Sequence, residues 1–544
     1  MLYILFSVVV FLPVFAGWGQ VFRKFGGDIF SGIAVQLFSG IFAVSLVWTV
    51  IAFFFPLDLK VELITIIIGL AGFFYYKIYN QLWNFFRETS PSFFVVLLII
   101  IFFGSYYPFI LDHFGYYLPT IKWLSEFGLV QGISNLDLTL GQMSVWHLLQ
   151  AGFSNFSDPF LRLNTVLLIF YLIYIFEKKS WIHLVFLPIL FLFSQSPSPD
   201  LPVIVLSLIL LNEILNSNKN AVLLFAFSAF VFFIKPTMIW LPIAVFLYAL
   251  MVLKSKITFI IPGILILLLM MFKNSWVFGF PVFPVQFPDF GFSWKPNSVL
   301  LANSAEMALL KTFDMQYSYQ EIQEFSSFDF VKNWFFLKGI KGIIHQFFVL
   351  SLLALMIFAI RKNSKIVWII FFSLMMKSIV ILLFSAQYRF FLDVFFVVFF
   401  VILFHWFSKK NSLRIFFVFS GAISVFLSFP NVTKTVFPSF NLGNFMTGFN
   451  ENQWFKPAYF VLKNHKTYQI GNLKFNVVQQ YPFSFDTPLP AISPYFLQKD
   501  LEAGIFPQMK GETFKEGFIW RKMNEEEKIQ LQKIISSFPP EYFR

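Results

Sequence analysis

FFVVLLIIIFFGSYYPFILDHFGYYLPT, residues 93–120, joins a membrane-like run to a polar, aromatic loop. Residues 93–110 are apolar and uncharged, close to the roughly 20 residues that a bilayer-spanning helix needs. Asp112 follows where such a helix meets water, at the head of a loop that extends to residue 160. A carboxylate at that boundary, among aromatic rings, is partly desolvated and so a better proton acceptor than one in bulk water. The plainer role for Asp112 is to cap a helix that begins near Tyr116.

The rest of the chain repeats the pattern. Of its 544 residues, 58% are hydrophobic and only 12% are charged, a composition that belongs to a membrane protein. About fourteen segments are apolar enough to be spans. They lie near residues 3–18, 29–55, 62–79, 92–110, 161–176, 181–193, 201–215, 221–235, 238–253, 257–272, 343–360, 366–384, 389–407 and 414–430. The first lacks a basic leader and offers only a weak cleavage match at Val14-Phe15-Ala16, so it reads as a retained helix rather than a signal peptide.

Alternate short loops carry the bases: Arg23/Lys24, Lys77/Arg87, Lys178/Lys179, Lys219, Lys254/Lys256, Arg361/Lys362/Lys365 and Lys409/Lys410/Arg414. That side is cytoplasmic by the positive-inside rule. Loops 111–160, 194–200, 273–342 and 385–388 then face outward, with everything after residue 431. The basic loops account for most of the net charge of +12, so nucleic acid is not indicated as a partner. With no cysteine, disulfides, thiolate catalysis and cysteine metal sites are excluded. In the tail, residues 468–478 alternate like a strand. Residues 524–538 read as a helix capped by Asn524. The expected architecture is an all-α integral membrane protein of about 14 transmembrane helices over residues 1–430, with a small extracytoplasmic α+β domain over 431–544.

Candidate chemistry collects on the outward side. In the first loop, residues 119–129 resemble an amphipathic helix on the membrane surface, with Lys122 and Glu126 placed to pair. Asp137 is the better second acid, whereas Asp158 precedes Pro159 and reads as a helix cap. Asp200 ends a rigid Ser/Pro turn and is placed to hold a metal, orient a sugar or cap the following helix. Lys235 and Lys273 are placed to meet a lipid phosphate as point charges, or to snorkel. Arg389 is suited to bidentate phosphate binding, and Asp393, four residues on, is placed to hold it. Lys377 falls near the middle of a span, where a charge needs a partner; across the hairpin around Ser385 that partner is Asp393. There is no P-loop, dinucleotide fingerprint or H-E-x-x-H motif, so a reaction on this side needs a substrate that arrives activated.

Several of these pieces resemble the GT-C superfamily of polytopic glycosyltransferases, which includes protein mannosyltransferases and lipid A aminoarabinose transferases. The resembling residues are Asp112 with Tyr116-Tyr117-Leu118-Pro119, Ile121-Lys122-Trp123, residues 128–135, Ser198-Pro199-Asp200 and Lys235. Asn274 with Gly279-Phe280-Pro281-Val282-Phe283-Pro284 and residues 386–390 complete the set. The same pieces, with Asp486-Thr487-Pro488-Leu489-Pro490 and Ser493-Pro494-Tyr495, are similar still more closely to a Bacteroidetes-type group of multi-pass membrane proteins without assigned function. The resemblance implies that Asp112 is the general base on an acceptor hydroxyl and that Lys235 and Arg389 hold a donor phosphate. His113 stands where the superfamily often has a second acid, which argues against a metal bridged by an acidic pair.

The expected function is therefore an inverting transfer of a sugar from a polyprenyl-phosphate donor to an acceptor hydroxyl, on the outer face of a bacterial cytoplasmic membrane. Asp112 and His113 are the catalytic candidates. Tyr116, Tyr117, Asp137, Asp200, Lys235, Lys273 and Arg389 are the substrate-binding ones. No cofactor is called for; a divalent metal is compatible but not indicated. The partners are the donor lipid, the bilayer and a glycan, lipid or protein acceptor. The rivals are a lipid or polysaccharide transporter or flippase, a polysaccharide polymerase or ligase, and a non-catalytic anchor that displays the tail.

Overall fold

The computed structural model describes residues 1–436, 446–462 and 464–543. The chain is mostly helical, and helices lie on all the segments expected from hydropathy. Among the described residues, six helices are long and apolar enough to cross a membrane: Leu2–Gly26, Ile33–Ile51, Ile257–Phe278, Ile340–Lys362, Lys365–Phe384 and Lys409–Ser428. The pair Leu59–Tyr75 and Ile78–Glu88, bent by 75°, forms a further candidate. Five shorter apolar helices are Pro91–Gly104, Ile182–Phe193, Ala221–Ile234, Pro236–Met251 and Leu392–Leu403. This is a multi-pass, membrane-embedded architecture. Leu265, Ile343, Leu353 and Leu383 stay exposed on its flanks, as a lipid-facing surface requires.

Two features set the packing. At the N-terminal end the backbones themselves meet: a Cβ on Gly17 would lie 1.8 Å from the carbonyl oxygen of Gly69. Small residues permit this approach in membranes, where close van der Waals contact replaces the hydrophobic drive. At the centre, Leu163–Lys178 and Asp200–Leu215 are buried almost throughout. Their N-terminal ends carry Arg162 and Asp200, so the interior helices place charge at one end of the bundle.

The tail contains two antiparallel hairpins, β1 (His465–Ile470) with β2 (Leu473–Val478) and β3 (Ile505–Met509) with β4 (Phe518–Lys522). The single strand expected over 468–478 is thus split. Gly471, at φ 58°, turns the chain where a side chain would be strained, and Ile470 pairs with Leu473. Helix Glu525–Ile535 begins as expected, with Asn524 accepting from Glu527 N and Glu527 returning the bond in a capping box.

This tail packs on the first long loop. Phe518 N donates to Gln131 O at 2.9 Å. Lys515 Nζ donates to the carbonyls of Ala52, Phe127 and Leu129. Phe514 and Phe518 pack edge-on against Trp123. Helix Leu118–Phe127 is therefore enclosed rather than lying on a lipid surface. Nor does Lys122 pair with Glu126: it donates to Asp486 and to the Thr487 carbonyl, because the tail brings a carboxylate closer than the helix does.

Candidate functional site

Helix Pro91–Gly104 ends short of the loop, and Asp112 precedes a π-helical turn, His113–Tyr117. Asp112 makes no capping bond to that turn. Its Oδ2 instead accepts from Arg389 Nη1 at 3.2 Å. The two side chains are 37% and 45% exposed respectively, so the carboxylate is less desolvated than a position among aromatic rings suggested. Arg389 comes from a 3-10 turn, Tyr388–Phe390, and its guanidinium lies 5.1 Å from the Phe390 ring centre. Asp393, expected to hold Arg389, is turned away to another partner.

Behind this pair stand Tyr116 and Tyr117, with ring centres 4.5 Å apart. Burial first, then the neighbouring Asp112 carboxylate for Tyr116 and the Tyr116 hydroxyl for Tyr117, pushes both phenols above their ordinary range. They remain hydrogen-bond donors at neutral pH. Asp200 opens helix Asp200–Leu215 and is ion-paired with Lys235. Asp200, Lys235, Arg389 and Asp393 line one small cleft between Val203, Met238 and Leu392. Lys311, on helix Ser298–Thr312, approaches the same rim. Desolvation and then Arg389 hold its ammonium below the ordinary lysine range, with Asp112 opposing.

The floor of the cleft is the buried pair Lys377–Asp393, with Trp240 Nε1 donating to Asp393 Oδ2 at 2.8 Å. The expected meeting of these two charges across the hairpin is thus present in the structure. The cleft lining is balanced, Asp200 and Asp393 against Lys235 and Arg389; Asp112 adds to Arg389 and Lys377 to Asp393 from outside it, and Lys311, near Asp112 and Arg389, is a further cation. That cation suits the rim to an anion.

The scaffold beneath is polar and densely hydrogen-bonded. Asn164 Nδ2 donates to the carbonyls of Phe193, Ser196 and Ser198, pinning the turn that ends in Asp200. Arg162, 1% exposed, donates to the carbonyls of Gly104, Tyr106, Phe160, Gln195 and Ala458. It ties the Asp112 loop, the serine turn and the tail together. His113 is buried against Ser196, with Nδ1 and Oγ 3.2 Å apart. Burial, helped by Arg162, lowers its pKa to about 3. It is neutral at physiological pH and packs behind the cleft, so the structure does not place it as an acid.

Two expected site residues lie elsewhere. Lys273 falls within helix Ile261–Phe278, which continues past the predicted loop boundary; its Nζ donates to the carbonyls of Gln142 and Met143. It is a tether for the first loop rather than a phosphate ligand. Asp137 caps a 3-10 turn by accepting from Thr139 N and Oγ1 at 2.8 and 2.5 Å and faces the tail's Asp500. Among the described residues no three His, Asp or Glu side chains are grouped to hold a metal ion. Lys311 and Arg162 escaped the sequence reading. Lys311 sat in a loop treated as a unit, and Arg162 looked like the ordinary start of a helix. An arginine immediately before an apolar run on the face opposite the basic loops was the available signal.

The chain matches a family model described as "Domain of unknown function (DUF8201)" over residues 1–396. No curated protein and no solved structure matches it. The matched stretch contains every member of the charged cluster and stops before helix Lys409–Ser428 and the tail. The chain belongs to the DUF8201 family.

Proposed function

Starting from that membership, we propose that this DUF8201 protein is a GT-C-type glycosyltransferase that moves a sugar from a polyprenyl-phosphate donor to an acceptor hydroxyl. The reading includes about fourteen spans and places the Asp112 end outside the cytoplasmic membrane. The observation that carries it is the placement of Asp112 on Arg389, at the edge of a cleft lined by Arg389 and Lys235, with Lys311 nearby. Arg389 is the fork for two phosphate oxygens; Lys235 and Lys311 add point charge as the phosphate leaves.

The resting ion pair fits this scheme. An exposed pair of this kind contributes only about 0–1 kcal/mol, so a donor phosphate that takes Arg389 in a bidentate grip frees Asp112 at little cost. Asp112 then accepts the proton of the acceptor hydroxyl. The hydroxyl oxygen forms a bond to the anomeric carbon as the bond to the phosphate oxygen breaks, with inversion. The electron pair leaves on the polyprenyl phosphate, where Arg389, Lys235 and the Tyr116 hydroxyl meet it.

The test is transfer of radiolabel from a polyprenyl-phosphate sugar in proteoliposomes. Wild type is expected to transfer and Asp112→Asn to stay folded but inactive; normal turnover by that variant removes the mechanism. A carrier is the second reading, favoured by the buried Lys377–Asp393 pair. Against it, between Asp200 and Asn212 the interior helix offers only Ser207 as a polar side chain, little for a polar headgroup to follow along that helix. Labelled lipid crossing the bilayer without sugar transfer would select the carrier.

A further inference from the structure

At the opposite end of the bundle from Asp112, a pocket of about 540 Å³ opens between helix Ile78–Glu88, the end of helix Leu163–Lys178 and the start of helix Lys409–Ser428. Its position is interfacial. Helix Ile78–Glu88 turns 75° away from the preceding apolar helix. It buries Ile78 but leaves Trp83 70% exposed, the arrangement of a helix lying along a membrane surface.

The lining is built rather than incidental. Lys409 Nζ is held 2.5 Å from Ser90 Oγ and 5.3 Å from the ring centres of both Phe176 and Trp181. The Glu177 carboxylate caps the N-terminus of helix Ile33–Ile51, accepting from Ile33 N and Ala34 N, so its charge is already offset by that helix end. That leaves Lys179 and Glu88 on the rim, neither of them in an ion pair among the described residues. The Asn84 amide is on the same wall as Glu88.

We infer that this pocket holds the headgroup of a zwitterionic, ammonium-bearing phospholipid of the phosphatidylethanolamine type. Two lysines meet its phosphate as point charges. Glu88, one turn along from Asn84, meets the ammonium, which has hydrogens to donate where a quaternary amine has none. The acyl chains follow the lipid-exposed face of helix Pro91–Gly104, where Phe94, Val95 and Leu98 remain uncovered. A purely anionic headgroup leaves Glu88 opposed to negative charge, and a soluble phosphate leaves the apolar face unused.

The experiment measures lipid retention by native mass spectrometry on the full-length protein, after delipidation and re-addition of phosphatidylethanolamine, phosphatidylglycerol or phosphatidylcholine. Glycerophosphoethanolamine and inorganic phosphate serve as soluble probes. Wild type is expected to retain phosphatidylethanolamine roughly tenfold better than the other lipids, and to ignore the soluble probes. Glu88→Gln, at an exposed position where folding is not at risk, is expected to erase the preference over phosphatidylcholine. Lys179→Gln is expected to weaken retention of all three lipids. Equal retention of the lipids, a preference for phosphatidylglycerol, tight binding of a soluble probe, or an unchanged preference in Glu88→Gln would each overturn the assignment.

Discussion

The buried pair beneath the cleft supports a quantitative test. The Lys377 side chain is 0% exposed and that of Asp393 is 7% exposed, with the Trp240 indole as a third member at 2.8 Å. Lys377→Met leaves a carboxylate in the interior with only one indole N–H; Asp393→Leu leaves a bare ammonium. Removing one partner of such a pair costs about 3–5 kcal/mol. The double variant has no buried charge. Its remaining defect is the Trp240 N–H, deprived of its acceptor, a cost of about 1–3 kcal/mol. The two changes together are thus expected to destabilise less than either alone, with a coupling of about 6 kcal/mol, more than tenfold above the scatter between independent sites. Denaturant unfolding of the four proteins in mixed micelles, completing the double-mutant cycle, measures it. If the double variant loses the sum of the two single losses, the charges do not brace one another and the floor of the cleft has been misread.

Three further outcomes follow from the same geometry. Arg389→Ala is expected to lower kcat/KM for a lipid-phosphate donor by about 10–100-fold, while stability falls by no more than about 1 kcal/mol because the pair is exposed; steady-state kinetics with a thermal melt separates the two. Arg162→Lys is expected to cost about 3 kcal/mol or more, since a lysine has fewer donors and no planar fork for the five carbonyls now served; the melting temperature reads this. Asp137 gives a pH dependence: burial raises its carboxyl from an ordinary 3.8 to about 6, against the bonds from Thr139. The folded state therefore holds the proton more tightly, and stability from this group is present below the ordinary value and lost as pH rises through about 6, at most about 3 kcal/mol. Buried His113 and His147, both lowered to about 3, act in the other direction, because unfolding lets them take up protons below pH 6.5. The measurement is accordingly a difference: wild type is expected to lose more stability than Asp137→Asn between pH 5 and pH 7.5.

What the sequence disclosed depended on the range of the interaction. Helix positions were legible because apolar runs are local, and the capping box at Asn524 and Glu527 lies within one turn. The meeting of Lys377 and Asp393 was legible because a single hairpin separates them. The partner of Arg389 was not: Asp393 was near in sequence, yet Asp112, separated by 277 positions, is the one it meets. Lys122 was assigned to Glu126 for the same reason, before the tail's Asp486 was in view. His113 looked functional because it is adjacent to Asp112, and only the fold shows that the π-helical turn directs it inward. The bend after Tyr75 was invisible to a hydropathy reading, which averages over the left-handed Lys77 that makes it.

The contact between Gln131 and Phe518 has a consequence for biosynthesis. Phe514, Lys515 and Phe518 cover helix Leu118–Phe127, yet Lys515 is made 388 positions after the Phe127 carbonyl it meets. Until then Trp123 lacks its lid. A nascent chain that stalls before residue 514 would carry a sticky apolar ridge that cellular surveillance can recognise.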